Sequence, residues 1–313
     1  MLAWLAYVSL SPGVAPYHYK LIEEGGVGKF GELGLKIWPE LVISKYEVYV
    51  QDIDKPIAVA HLAKRGEMPP ILLNWENHTN TLLTSVDSKS SELSALVTAI
   101  TKYTSENATI LAWWDTSRQV QLLTGRDTVF PSHHGEPMII PSHWRERSGT
   151  IKEYEQKFWG APAPAEERRK FQRFADALVA DIDKGAAILR ELAGSREAYV
   201  VVHVSDLYKL ALMRPDLFDM AYKDFPMSGS NMHGLVNSVK RWKHEKDYQT
   251  YTLQSLSDQL VRAYFLRKGQ NTLLAQMLPF TDTRPLELEA VQLVYQHGSY
   301  WVYKIPGGEP PAG

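Results

Sequence analysis

The length and composition of the chain exclude several broad classes of protein. It has 313 residues, of which 44% are hydrophobic and 22% are charged. This is ordinary globular usage, so wholesale disorder and fibrous repeats are excluded. The formal net charge is −2, which makes nucleic acid a poor expectation as a partner. Cysteine is absent, so thiol nucleophiles, disulfides, iron–sulfur clusters and cysteine zinc sites are excluded as well.

The two ends of the chain differ from the rest in composition. The chain begins MLAWLAYVSL, an apolar run shorter than the roughly 20 residues of a membrane-spanning helix. It is either a buried segment or the last turns of an anchor helix whose beginning has been removed. We expect residues 1–67 to form an N-terminal segment after this truncated anchor, and residues 306–313 to form a disordered tail.

Strand and helix patterns alternate from residue 68 onward. Apolar periodicity and capping residues predict the elements. In chain order they are a strand over 71–75, a helix over 89–103, a strand over 108–114, a helix over 117–123, a loop over 131–149, a helix over 164–193, a strand over 199–204, a helix from about 206, a mainly helical segment over 253–277, and a hairpin of 291–295 and 300–305.

Repeated strand–helix–strand order is typical of a sheet covered by helices. We therefore predict one α/β domain over residues 68–305. Its central sheet is expected to be mixed but mostly parallel, with helices on both faces and a C-terminal β-hairpin.

Two short motifs follow predicted central strands. Trp113, Trp114 and Asp115 end one strand, where open α/β sheets place their ligands. After a later strand, Asp206, Lys209 and Met213 lie at i, i+3 and i+7, on one helix face. We expect Asp115 and Lys209 to approach one shared cleft. The alternative is that both tryptophans are core, that Asp115 caps a helix, and that Asp206 and Lys209 form a solvated pair.

A cluster of histidines follows the first motif. His133, His134 and His143 lie in a proline-rich loop with Glu136 between them. Neutral imidazoles and a carboxylate suit Cu, Zn or Ni, whereas the alternative is a solvated or structural loop. No other cofactor is predicted. His203, inside a predicted strand, is expected to be a buried core histidine.

Together the two motifs resemble the soluble C-terminal domain of the oligosaccharyltransferase catalytic subunit. That family carries Trp-Trp-Asp and Asp-x-x-Lys-x-x-x-Met/Ile motifs, which form its pocket for the acceptor peptide. The resemblance implies ligand or partner binding by Trp113, Trp114, Asp115, Asp206, Lys209 and Met213. The polytopic membrane half of that family has no counterpart here, so glycan transfer is not expected.

A second resemblance, to the HaoB family of hydroxylamine oxidation, rests on WLAYVSLSPG and ILAWWDTSRQVQLLTGRDTVFPSHHGEP. It implies a protein on the periplasmic face of the bacterial inner membrane, held by a single N-terminal anchor. It also implies hydroxylamine oxidoreductase, or another periplasmic protein or peptide, as the partner.

These observations favour a non-catalytic accessory binding protein of hydroxylamine oxidation with an oligosaccharyltransferase-like pocket. The alternative function is a metal-binding maturation factor or an enzyme that uses the loop of His133, His134 and His143.

Overall fold

The computed structural model describes residues 15–51, 53–79, 90–135, 141–227 and 232–307. The apolar run proposed as an anchor, at residues 2–10, and residues 308–313 of the predicted tail lie outside these ranges. Among the described residues, no helix combines the length and the apolar character needed to cross a membrane.

The strands of the described ranges are arranged in three sheets. Their bounds are β1 Tyr17–Gly26, β2 Val42–Val50, β3 Ala58–Lys64, β4 Ile71–Asn77, β5 Thr109–Ala112, β6 Asp127–Thr128, β7 Ala198–His203, β8 Asp219–Pro226, β9 Thr250–Ser257, β10 Leu260–Lys268, β11 Gln292–His297 and β12 Tyr300–Ile305.

The helices fall mainly in the middle of the chain. Their bounds are α1 Ser90–Tyr103, α2 Trp114–Thr124, α3 Ser148–Trp159, α4 Ala165–Val179, α5 Ile182–Ala193, α6 Asp206–Met213, α7 Met232–Glu245 and α8 Leu273–Gln276. Short 3-10 segments occupy Val27–Leu33, Ser142–Arg147 and Pro285–Glu287.

The first of two compact units comprises the described residues of Met1–Asp87 and His133–Ala163. Its sheet has the order β1-β2-β3-β4, and all neighbouring strands are antiparallel. Alternate residues of these strands pack with Ile151 and Trp159 of α3 in one apolar cluster. The strand predicted over 71–75 is present as β4, in this antiparallel sheet.

The second unit comprises the described residues of Ser88–Ser132 and Pro164–Gly313. It contains a five-stranded sheet of order β11-β12-β7-β5-β6 and a three-stranded antiparallel sheet of order β8-β10-β9. In the five-stranded sheet, β5 is parallel to β6 and β7, whereas β12 is antiparallel to β7 and β11.

The predicted mixed α/β class and C-terminal hairpin are confirmed, but the mostly parallel sheet is wrong. Among the described strands, antiparallel pairs predominate. The physical reason is that five of the seven antiparallel pairs of described strands join strands that follow each other in the chain without an intervening α-helix, whereas a parallel pair needs a long crossover.

The mainly helical segment predicted over 253–277 is also wrong. Most of it forms the antiparallel pair β9 and β10. Val261, Ala263 and Phe265 pack on one side with α7, and Tyr264 and Leu266 join the main core of the unit. A strand buried on both faces has a continuous apolar run, which periodicity alone does not distinguish from a buried helix.

The single helix predicted over 164–193 is two helices, α4 and α5. The chain is extended at Ala180, and Asp181 caps α5 by accepting the N–H of Lys184 at 3.0 Å. Gly185 permits the close approach of α5 to the end of α4, because an added Cβ at this position would lie 2.5 Å from the carbonyl oxygen of Ala177. The loop predicted over 131–149 contains the 3-10 segment Ser142–Arg147 and the start of α3.

Candidate functional site

The two motifs emerge at the same edge of the five-stranded sheet. Strands β5 and β7 are parallel neighbours, and each leads into a helix, α2 and α6 respectively. Because parallel strands end at a common edge, residues 113–115 and 206–213 are brought together there. The sheet register therefore places both motifs on one side of the second unit.

Lys209 joins the two motifs through a buried cluster of charges. Its Nζ atom lies 2.9 Å from Oδ2 of Asp115 and 3.0 Å from Oδ1 of Asp206. The side chains are 5%, 8% and 3% exposed for Lys209, Asp115 and Asp206. The expected proximity of Asp115 and Lys209 is thus present, but as a direct ion pair inside the unit.

The backbone satisfies the remaining carboxylate oxygens. Oδ1 of Asp115 accepts the N–H of Thr116 at 2.6 Å, and Oδ2 of Asp206 accepts the N–H of His203 at 2.9 Å. Buried ion pairs are tolerated only when such additional hydrogen bonds compensate for lost hydration. The cluster consequently fixes the start of both helices relative to the strand ends.

The electrostatic surroundings of Lys209 favour its charged form. Burial opposes the charge, but Asp115 and Asp206 outweigh it, so the pKa of Lys209 is raised. Burial is also the main cause that raises the pKa of Asp206, with the charge of Lys209 acting against it. The lysine is therefore the group that holds two carboxylates in a site from which water is excluded.

The tryptophans of the first motif are buried. Trp113 packs edge-on against Phe171, with 5.1 Å between ring centroids, and Nζ of Lys209 lies 5.5 Å from the centroid of the Trp113 ring. Trp113 is 3% exposed and Trp114 is 8% exposed. Trp113 thus packs in the hydrophobic core and also lines one side of the buried charge cluster.

Of the six predicted binding residues, Met213 is the exposed one. It is the last residue of α6 and is 37% exposed, next to Leu212 at 55%. The other five are each less than 10% exposed. Among these six residues, Met213 at the outer end of α6 is therefore the one that a partner can contact in the present conformation.

One residue near the cluster, Arg118, was not among the predicted binding residues. Arg118 is 5% exposed and one helical turn from Asp115. Burial lowers the pKa of Arg118 to about 10, against the attraction of Asp115 and Glu167. The i, i+3 spacing of Asp115 and Arg118 in the sequence is the signal that could have identified this residue.

His203 was predicted as a core histidine and is buried as expected. Its Nδ1 accepts the N–H of Ser205 at 3.2 Å and lies 2.7 Å from the Ser205 hydroxyl oxygen. Burial, followed by the charge of Lys209, lowers the pKa of His203 to about 3. The imidazole is therefore neutral over the physiological pH range.

The histidines proposed as metal ligands belong to the first unit. The His133 ring stacks on the ring of Trp159, with 6.0 Å between ring centroids. The backbone carbonyl oxygen of His133 accepts the N–H of Ala163 at 2.7 Å. His143 contacts the ring of Trp144. The described residues contain no group of three or more side chains placed to hold a metal ion, and Glu136 lies outside them. A metal site in this loop stays a prediction.

Comparison with known proteins identifies the family. The family model described as HaoA-associated protein HaoB matches residues 1–305. The chain belongs to the HaoB family. The resemblance to HaoB drawn from the sequence is thereby confirmed. None of the curated proteins compared with this HaoB family member matches it.

Solved structures provide a weaker comparison. The C-terminal domain of PglB from C. jejuni is 11% identical, covers 68% of this chain and 98% of its own, and superposes with a TM-score of 0.38. So low a TM-score does not establish a common fold.

Proposed function

We propose that this HaoB family member is an accessory binding protein of hydroxylamine oxidation whose partner is hydroxylamine oxidoreductase. The family description, HaoA-associated protein, supports both the accessory role and the partner. The structural observation that carries the proposal is the charge cluster of Asp115, Asp206 and Lys209, which anchors a helix with an exposed apolar end.

The arrangement of α6 suits a rigid contact surface. Leu207 and Leu210 are fully buried, and Asp206 and Lys209 tie the first turn to the strand ends. The charged groups of Asp206 and Lys209 are buried, so their role is to hold α6 in position. The exposed end of the helix presents apolar area whose burial supplies about 25 cal/mol per Å² on association.

Adding a charge to the exposed end of α6 is expected to weaken binding. In a titration of purified hydroxylamine oxidoreductase, Leu212→Glu and Met213→Glu should each raise the Kd by about tenfold, because an unpaired carboxylate would be desolvated at the interface. The matched control is Leu286→Glu, at a position that is 83% exposed, and its Kd should stay within about twofold of the parent value.

The proposal fails if the parent protein does not bind the oxidoreductase. It also fails if all three variants bind as tightly as the parent. Circular dichroism of each variant checks that the fold is retained, as expected for substitutions at exposed positions.

The apolar start of the chain, together with the HaoB resemblance, supports a location on the periplasmic face of the inner membrane. We propose a single N-terminal anchor upstream of or overlapping residues 2–10. The full-length protein should sediment with membranes and be released by detergent but not by high salt, since an apolar anchor is insensitive to ionic screening. Recovery of the full-length protein in the supernatant without detergent would contradict this location.

A further inference from the structure

The second unit carries a groove with cationic walls beside α4. Its volume is 810 Å³, and it is lined by α4, by the end of α5 and by the residues that follow α5. A smaller depression of 470 Å³ shares Arg173 with this groove. The charged side chains that line the two are Glu166, Arg169, Lys170, Arg173, Asp176, Lys184, Glu191, Arg196 and Arg214.

The charge of this surface is opposite to that of the whole chain. Six of the lining side chains are cationic and three are acidic, and Asp127 and Asp216, which pair with Arg196 and Arg214 from outside the lining, reduce the local net charge to +1. The complete chain has a formal net charge of −2. A local field of this kind attracts anionic groups and raises the rate at which they associate.

The ion pairs within the groove are weak competitors for an anionic ligand. Lys170 pairs with Glu166 at 3.0 Å, and Arg173 pairs with Glu191, with all four side chains half exposed or more. Exposed pairs of this type contribute about 0–1 kcal/mol. No ion pair is found for Arg169 among the residues that the structure describes. Carboxylates from another molecule can therefore replace the internal ones at little cost.

The floor of the two depressions is apolar and is formed by Val179, Ala180, Ile188, Leu192, Ala193 and Leu217. A compact inorganic anion would leave this floor uncovered. A polypeptide with alternating acidic and apolar side chains would bury it while its carboxylates met the arginines.

We propose that this groove binds an acidic, partly apolar segment of a partner protein. The site is distinct from the end of α6, and neither site depends on the other. Arginine predominates among the cationic groups, and its planar guanidinium pairs with carboxylates in bidentate geometry.

The proposal is tested by fluorescence anisotropy with a labelled peptide in which glutamate alternates with leucine and alanine. We expect the full chain to bind it, and the Kd to rise by about tenfold or more in Arg169→Glu/Arg173→Glu. The neutralising pair Arg169→Gln/Arg173→Gln should weaken binding in the same direction without introducing repulsion. The matched control is Lys240→Gln/Arg241→Gln on α7, where both side chains are exposed.

Three outcomes would overturn the proposal. The first is equally tight binding of a peptide with lysine in place of glutamate. The second is an equal loss of affinity in the control pair. The third is displacement of the peptide by inorganic polyphosphate at the same charge concentration, which would assign the groove to phosphate-type anions. Because the peptide is synthetic, failure here leaves the proposed binding of hydroxylamine oxidoreductase untouched.

Discussion

Replacing Lys209 by methionine is expected to destabilise the protein by about 3–5 kcal/mol, because two buried carboxylates lose their common counterion. Asp115 and Asp206 are each less than 10% exposed and lie within 3.0 Å of the lysine nitrogen. Methionine retains most of the side-chain volume, so packing loss contributes little. Denaturant unfolding at neutral pH measures the difference, with the exposed Lys240→Met as the control.

The destabilisation by Lys209→Met should also depend on pH and on the carboxylates. Without the lysine, burial and the charge of Asp115 raise the pKa of Asp206 further, so the variant gains stability relative to the parent as the pH falls and this carboxyl group becomes protonated. Adding Asp115→Asn and Asp206→Asn should recover part of the loss at neutral pH. A loss no larger than that of Lys240→Met would show that the charge cluster has no structural role.

The second large effect concerns His203 and acid stability. The pKa of His203 is lowered to about 3, whereas an unfolded chain has a histidine pKa of about 6.5. The unfolded state therefore takes up a proton that the folded state does not. The stabilisation from the neutral imidazole is complete above about pH 6.5 and is lost progressively as the pH falls toward 3. At pH 5 the loss is roughly 2 kcal/mol.

His203→Asn isolates this contribution, because asparagine offers an acceptor near the position of Nδ1 but does not titrate. The free energy of unfolding of the parent should fall between pH 7 and pH 5 by roughly 2 kcal/mol more than that of the variant. Comparing the two pH dependences cancels the other titrating groups and any cavity left by the smaller side chain. Equal pH dependences in parent and variant would mean that His203 is protonated in the folded protein.

The structure explains why some element predictions succeeded and others did not. Helix α1 and the hairpin of β11 and β12 have strong local signals, and both agree with the sequence patterns. The segment over 253–277 has apolar residues on both faces of β10, and tertiary packing on two sides removed the alternation that marks a strand. The break between α4 and α5 depends on a single cap at Asp181, which a long apolar stripe conceals.

The sequence by itself determined the family, the mixed α/β class, and the placement of Asp115 and Lys209 in the segments that follow two strands, because these depend on local patterns and motif spacing. Only the tertiary structure decided that these charges pair directly and are buried while Met213 reaches the surface. The burial and the pairing of Asp115 with Lys209 depend on contacts between residues about 90 positions apart. The free energy of such a buried pair is set by desolvation and by the neighbouring strands, and a local sequence pattern contains information on neither.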